Sequence, residues 1–78
     1  MKKVVSLVQL KAGNKARISD ILGGGNLERK LMNMGIYKDK EVSKLSHIGL
    51  NGPVVIKVGR TILALGHGIA EKIMVEAC

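Results

Sequence analysis

Short strand-like segments, separated by glycines or turn residues, follow one another through most of this chain. Lys15–Ile21 alternates apolar and polar residues, which is the period of a strand with one buried face. Segments with similar strand character lie at 41–48, 54–58, 61–65 and 72–76. Gly59 and Arg60 form a two-residue hairpin link between two of them. Because closing a sheet removes its exposed edges, so many strands in 78 residues predict a mainly β fold, a small closed barrel.

One segment changes to the helical period. After the triplet at 23–25, Leu27, Leu31 and Met34 recur at positions i, i+4 and i+7, which places them on one helix face. Asn26 is the expected N-cap, and Gly35 is the expected left-handed residue after the helix ends. A helix of about two turns is not stable alone. The pattern therefore predicts a short helical insertion after the first long strand, packed on one end of the barrel.

The length and the cysteine count limit the class of protein. A chain of 78 residues has room for one core, so we predict a single domain over residues 1–78. Cys78 is the only cysteine and cannot form an internal disulfide, which favours a reducing compartment. The N-terminal apolar run reaches Lys11 before completing a signal-peptide core, and no run is long enough to span a membrane. A cytoplasmic protein that is not embedded in a membrane is expected.

The net charge of +7 makes anionic partners the first class to consider, since 13 Lys and Arg residues oppose 6 Asp and Glu residues. Proteins that bind single-stranded nucleic acid also need aromatic side chains on which the bases can stack. This chain has no Trp and no Phe, and Tyr37 is its only aromatic residue apart from its histidines. A basic nucleic-acid-binding barrel therefore stays an alternative, and no nucleic-acid partner is expected.

Candidate catalytic and metal-binding residues are few. His47, His67 and Cys78 could each bind a metal, but their spacing matches no compact ligand pair. We expect no native metal site and no cofactor, with adventitious Zn²⁺ or contact with Fe²⁺ left open. The glycine triplet leads into Asn26 and lacks the Gly-Lys-Ser/Thr of a phosphate-binding P-loop. No nucleophile is paired with a base, so no catalytic residue is assigned and an enzyme is not expected.

The outward face of the predicted helix is more informative. A methionine at its border lies near the only tyrosine and a group of basic residues, which is the composition of an adaptable protein-binding surface. We call this set the helix surface and predict that it binds a partner; its members are Arg29, Lys30, Met32, Tyr37 and Lys38. The equally favoured alternative is that Met32 and Tyr37 only cap the end of the barrel.

The order of several short motifs resembles that of a known family. These motifs are Leu10-x-x-Gly13, the Arg-Lys-Leu-Met-Asn-Met-Gly-Ile segment at 29–36, Gly52-Pro-Val54, the Ile-Leu-Ala-Leu-Gly segment at 62–66, and Ala70-x-x-Ile73-x-Val75. Together, from about Leu7 to Val75, they resemble the FeoA family of small cytosolic ferrous iron transport proteins. The resemblance implies an SH3-like β-barrel with a helical insertion, as in the C-terminal domain of diphtheria-toxin-repressor-type metalloregulators. Asp39 stands where the family usually has glycine, and we expect it to adopt the same left-handed turn.

The resemblance also implies a function. The expected partner is FeoB, a membrane Fe²⁺ transporter with a cytosolic GTP-binding domain, and the chain would assist or regulate it as a non-catalytic module. Arg29 is the first candidate for an arginine supplied in trans to nucleotide hydrolysis. A metal-sensing SH3-like domain, suggested by His47 and His67, is a further alternative. Exposed apolar residues on so small a domain also leave weak homodimerisation open.

Overall fold

The computed structural model describes residues 3–49 and 51–77. Its elements, in chain order, are β1 (Val4–Ser6), β2 (Lys15–Ile21), α1 (Gly25–Asn33), β3 (Glu41–His47), β4 (Val54–Val58), β5 (Thr61–Leu65), α2 (His67–Glu71) and β6 (Ile73–Ala77). The prediction of a mainly β fold with a short helix after the first long strand is confirmed. None of the helices in the described residues is long and apolar enough to cross a bilayer.

The six strands form one antiparallel sheet in the order β1-β6-β2-β3-β4-β5. Strand β2 pairs with β3 through its first residues and with β6 along most of its length, and its register shifts between Ile18 and Asp20. A second shift lies between Lys44 and Ser46 of β3. Such bulges bend and twist a strand, which curls the sheet into a barrel-like form. Within the described ranges β1 and β5 do not pair with each other, so the full closure that we expected is not reached.

The core lies inside the curled sheet and follows the strand period. In β2, Ala16 and Ile18 are buried while Lys15 and Arg17 are exposed, as the alternation predicts. The buried apolar residues are Leu7, Leu10, Ala16, Ile18, Leu31, Ile36, Val42, Val54, Ile56, Val58, Leu65, Ala70, Ile73 and Val75. Leu31 is the single buried residue of α1, and Leu27 and Met34 pack against the core beside it. The predicted inward face of the helix is confirmed.

The helix α1 begins earlier than the sequence indicated. Its N-cap is Gly24, with a φ of 91°, and no side chain caps the helix, so the prediction of Asn26 as N-cap is wrong. The reason is the glycine triplet: Gly23 also has a positive φ, of 104°, so the turn into the helix is complete before Asn26 is reached.

The end of α1 agrees with prediction. Gly35 has a φ of 86°, and its amide donates to the Met32 carbonyl at 3.0 Å. The Ile36 amide donates to the Leu31 carbonyl at 2.8 Å, which completes a Schellman motif. Leu31 and Ile36 are both buried. The turn therefore reverses the chain and fixes Ile36 in the core.

Three smaller features also bear on the predictions. Asp39 has a φ of 74°, as expected, and its amide donates to the Ile18 carbonyl at 2.8 Å. Strand β1 was not predicted, although Val4 and Val5 have strand propensity; Val5 pairs with Val75 of β6. For residues 66–70 the sequence predicts a bend or a single helical turn, and the structure has the short helix α2 there; the last strand lies one residue later than predicted.

Gly52, in the turn between β3 and β4, has no room for a side chain. A Cβ there would overlap the carbonyl oxygen of Ile48. Gly52→Ala must shift this turn, where the Ile48 amide donates to the Pro53 carbonyl at 3.1 Å. We expect the free energy of unfolding, measured by urea titration, to fall by about 1–3 kcal/mol. The control is Gly68→Ala in α2, where a Cβ meets nothing and alanine is the better helix former, so stability holds or rises. Equal losses in both variants would contradict this reading.

Candidate functional site

The helix surface is formed by α1 and by the loop that follows its Schellman turn. Leu31 and Ile36 are buried, and their neighbours Met32 and Tyr37 are turned outward. The exposed fraction is 53% for Met32 and 41% for Tyr37, so about half of each side chain is open to solvent. The turn geometry that fixes the core contacts therefore also places these two side chains at the surface.

Basic residues accompany the two apolar ones. Arg29, Lys30 and Lys38 are all exposed, and none of them forms an ion pair within the described residues. Arg29 and Met32 are three residues apart on α1, so they lie on neighbouring positions of one helix face. The Nζ atom of Lys40 lies 5.9 Å from the centroid of the Tyr37 ring, a cation–π contact. Apolar side chains with unpaired cations around them suit a partner that offers an apolar segment with acidic neighbours.

A second group of polar residues lies partly inside the barrel, around Lys44. Lys44 is 2% exposed and is the single charged side chain buried in the described part of the chain. Its Nζ donates to the carbonyl oxygen of Val8 at 2.8 Å and lies 3.5 Å from Nδ1 of His47. The register shift after Lys44 leaves Leu45 unpaired and 43% exposed. The bulge thus exposes a leucine while the lysine beside it is buried.

The structure brings His47 and His67 together, although they come from different elements. Their ring centroids are 5.8 Å apart with an interplanar angle of 29°. Nε2 of His67 lies 3.3 Å from the Glu71 carboxylate, and Nδ1 of His47 faces Lys44. Nε2 of His47 and Nδ1 of His67 are buried with no hydrogen-bond partner. We call Lys44, His47, His67 and Glu71 the lysine–histidine cluster.

The polar neighbours of the two histidines, Lys44 and Glu71, determine which ring nitrogen carries the proton in each neutral imidazole. The Lys44 ammonium can only donate, so Nδ1 of His47 accepts and the ring proton is on Nε2. The Glu71 carboxylate accepts from Nε2 of His67, which leaves a lone pair on Nδ1. The two unpartnered nitrogens are therefore one donor and one acceptor. An additional proton on the His47 ring would meet the Lys44 ammonium.

Burial and charge act on the pKa values in the same direction. Burial lowers the pKa of the Lys44 ammonium. Desolvation lowers the pKa of His47, and the positive charge of Lys44, together with that of His67 whenever its ring is protonated, lowers it further. The described residues contain no group of three or more His, Cys, Asp or Glu side chains placed to hold a metal ion. Cys78, the third ligand considered above, lies outside the described residues.

Stability is expected to decrease on mild acidification because of His47. The pKa of His47 in the folded protein lies below its unfolded value of about 6.5, so the unfolded chain takes up its proton first as the pH falls. The free energy of unfolding therefore decreases between about pH 7 and pH 5, before most carboxylates titrate. Urea titrations across this range test it, with His47→Gln as the variant that flattens the dependence. An unchanged slope in that variant would contradict the assignment to His47.

Comparisons with known proteins agree on one family. The sequence model described as FeoA domain matches residues 5–77. A Methanocaldococcus jannaschii protein named as an Fe(2+) transport protein A is 33% identical over 66 residues, which covers 85% of this chain and 78% of the relative. A crystal structure titled as an iron uptake regulatory protein (FeoA) superposes with a TM-score of 0.87 at 34% identity, over 97% of this chain and 99% of that one.

A transcriptional regulator shares the fold. A manganese-dependent transcriptional repressor superposes with a TM-score of 0.88 over 100% of this chain and 44% of its own, at 18% identity. At 18% identity, the similarity to the repressor shows only that the two chains share a fold. It agrees with the SH3-like barrel implied by the sequence resemblance.

Proposed function

Because this chain belongs to the FeoA family, we propose that it is an accessory protein of ferrous iron transport that binds the cytosolic part of an FeoB-type membrane transporter. The family match over residues 5–77, nearly the whole chain, and the relative named as an Fe(2+) transport protein A support the transport role. The protein acts by binding and catalyses no reaction itself. This role places it in the cytoplasm.

The helix surface supports the binding step. Met32 and Tyr37 are the kind of large, adaptable side chains that carry binding energy at protein interfaces. Arg29 lies next to Met32 on one helix face, whereas Lys30, two residues from Met32, points to another side of α1. Lys38 directly follows Tyr37. All three basic residues are exposed without carboxylate partners among the described residues and can meet acidic residues of the transporter. Apolar burial would supply most of the affinity, and the charges would orient the encounter.

The metal-sensing alternative rests on the fold shared with the repressor and on the two histidines. The shared fold carries no metal site to this chain at 18% identity. The lysine–histidine cluster places an ammonium 3.5 Å from one of the two rings, which opposes binding of a second cation there. We therefore propose no role for a resident metal, and Fe²⁺ is the transported substrate.

A titration of the purified protein with the cytosolic region of the FeoB-type transporter from the same organism tests the proposal. Calorimetry is expected to show saturable binding that weakens only modestly from about 50 to 200 mM salt, as for a mixed apolar and polar interface. Duplex DNA is the comparison ligand. A nucleic-acid-binding barrel with several phosphate contacts would instead lose about 10³-fold or more over that range. DNA binding of that steepness, with no binding to the transporter region, would contradict the proposal.

A further inference from the structure

A small cavity opens on the outer face of the sheet and shares only Lys40, the lysine beside Tyr37, with the surroundings of the helix surface. Its volume is about 330 Å³, and it is lined by Lys15, Lys40, Glu41, Ser43, Lys57 and Gly59. We call it the lysine pocket. Three of its six lining residues carry an ammonium group and one carries a carboxylate. The pocket therefore has a net charge of about +2 at neutral pH.

Strand register explains why two of these lysines converge. Lys15 of β2 lies opposite Ser43 of β3, and Ser43 lies opposite Lys57 of β4. The three residues thus form one row across three adjacent strands, which are spaced about 4.8 Å apart. Such cross-strand neighbours lie on the same face of the sheet. The side chains of Lys15 and Lys57 therefore flank the Ser43 hydroxyl, one on each side.

The row faces away from the core. Each member of the row has a buried neighbour in the sequence; these neighbours are Ala16, Val42 and Ile56. Side chains alternate along a strand, so Lys15, Ser43 and Lys57 point to the opposite, outer face. Lys15 and Lys57 are exposed, and Ser43 is half-buried between them. The pocket is thus open to solvent and needs no rearrangement of the barrel to admit a small ligand.

The lysines of the pocket, Lys15, Lys40 and Lys57, form no ion pair with any carboxylate of the described residues. Glu41, the one acidic residue of the lining, lies opposite Arg17 in the β2–β3 pairing and forms no ion pair with the pocket lysines within the described residues. Three like charges around one concavity repel one another, and an anion that enters the pocket relieves this repulsion.

From this geometry we propose that the lysine pocket binds a small dianion of the phosphate type, either free phosphate or the phosphate group of a phosphomonoester. Lysine binds phosphate as a point charge, and a hydroxyl such as that of Ser43 can donate to a phosphate oxygen. A phosphomonoester carries a charge of about −1.5 to −2 at pH 7, which matches the net charge of the pocket. The volume of about 330 Å³ is at the small end of ligand pockets, so it suits a phosphate with a sugar attached.

Chemical-shift titrations of the ¹⁵N-labelled protein test this proposal, with inorganic phosphate and ribose 5-phosphate as separate probes at constant ionic strength. Both are expected to give saturable shifts of the Lys15, Ser43, Lys57 and Gly59 amides. Tighter binding of ribose 5-phosphate would assign the site to a phosphomonoester, and equal binding would assign it to phosphate itself. Lys57→Gln should weaken binding about tenfold, the effect of losing one charge-assisted hydrogen bond.

Two controls separate a site from general charge attraction. Lys30→Gln removes the same charge from α1, outside the pocket, and should change the dissociation constant less than about twofold. Lowering the pH from about 7.5 to 5.5 protonates the phosphomonoester and should weaken its binding severalfold. The binding of sulfate, used as a third probe, should stay constant over this range. The proposal is overturned by equal effects of the two lysine variants, by the absence of saturable shifts, or by binding of an acidic peptide without binding of phosphate.

Discussion

Replacing Met32 and Tyr37 together by alanine should weaken binding to the transporter's cytosolic region by about 100-fold or more. Each side chain offers a large apolar surface, and we expect both to be interface hot spots, whose truncation costs about 2 kcal/mol or more each. Their exposed fractions of 53% and 41% mean that the isolated protein loses little core packing when they are cut back. The free energy of unfolding should therefore stay within about 1 kcal/mol of the wild type.

Ile62→Ala is the matched control for this double variant. Ile62 is 62% exposed on β5, so it loses a comparable apolar surface outside the helix surface. Its affinity for the transporter region should change by less than about twofold. Calorimetric titration of the three proteins, alongside urea titration of each alone, separates binding from folding. An unchanged affinity in the double variant would show that Met32 and Tyr37 only cover the end of the barrel.

Leu31→Ala is expected to have the largest effect on stability. Leu31 is 1% exposed and is the one fully buried side chain of a nine-residue helix that is too short to be stable alone. Truncating a buried leucine costs about 2–5 kcal/mol. A chain of 78 residues has a total stability of about 4–12 kcal/mol, so this loss is a large fraction of the whole.

The position of Leu31 also connects stability to binding. The helix surface is carried by α1 and the turn after it, and Leu31 with Ile36 anchors both to the core. Leu31→Ala should therefore increase hydrogen exchange in α1 before the sheet unfolds. Lys30→Ala, on the exposed side of the same helix, is the control and should leave exchange close to wild type. Uniform acceleration across sheet and helix would contradict a local anchoring role.

The regular elements could be predicted from the sequence because their causes are local. The alternation in β2 put Ala16 and Ile18 inside, and Gly35 marked the end of α1 because only a left-handed residue completes its Schellman turn. The left-handed turn at Asp39 could be predicted as well, because aspartate tolerates a left-handed conformation. The helix start was missed because a backbone turn through Gly24 replaced side-chain capping by Asn26.

The features that could not be predicted depend on pairings between distant segments. Lys44 shares the inward face of β3 with Val42, and its burial as a charged group depends on the distant Val8 carbonyl that accepts a hydrogen bond from its ammonium. The stacking of His47 on His67 depends on where α2 lies relative to β3. The lysine pocket requires the register of three strands. The periodicity of the sequence does not show which distant segments pair or in which register.

We propose that this chain supports ferrous iron transport by binding the transporter through its helix surface. The most direct test is the initial rate of Fe²⁺ uptake in cells of its own organism that lack the chain. Wild-type protein and the Ile62→Ala control are predicted to restore uptake, and the Met32→Ala/Tyr37→Ala variant at the same cellular level is predicted to leave it impaired. Uptake that does not depend on the chain, or that the double variant restores in full, would contradict the account.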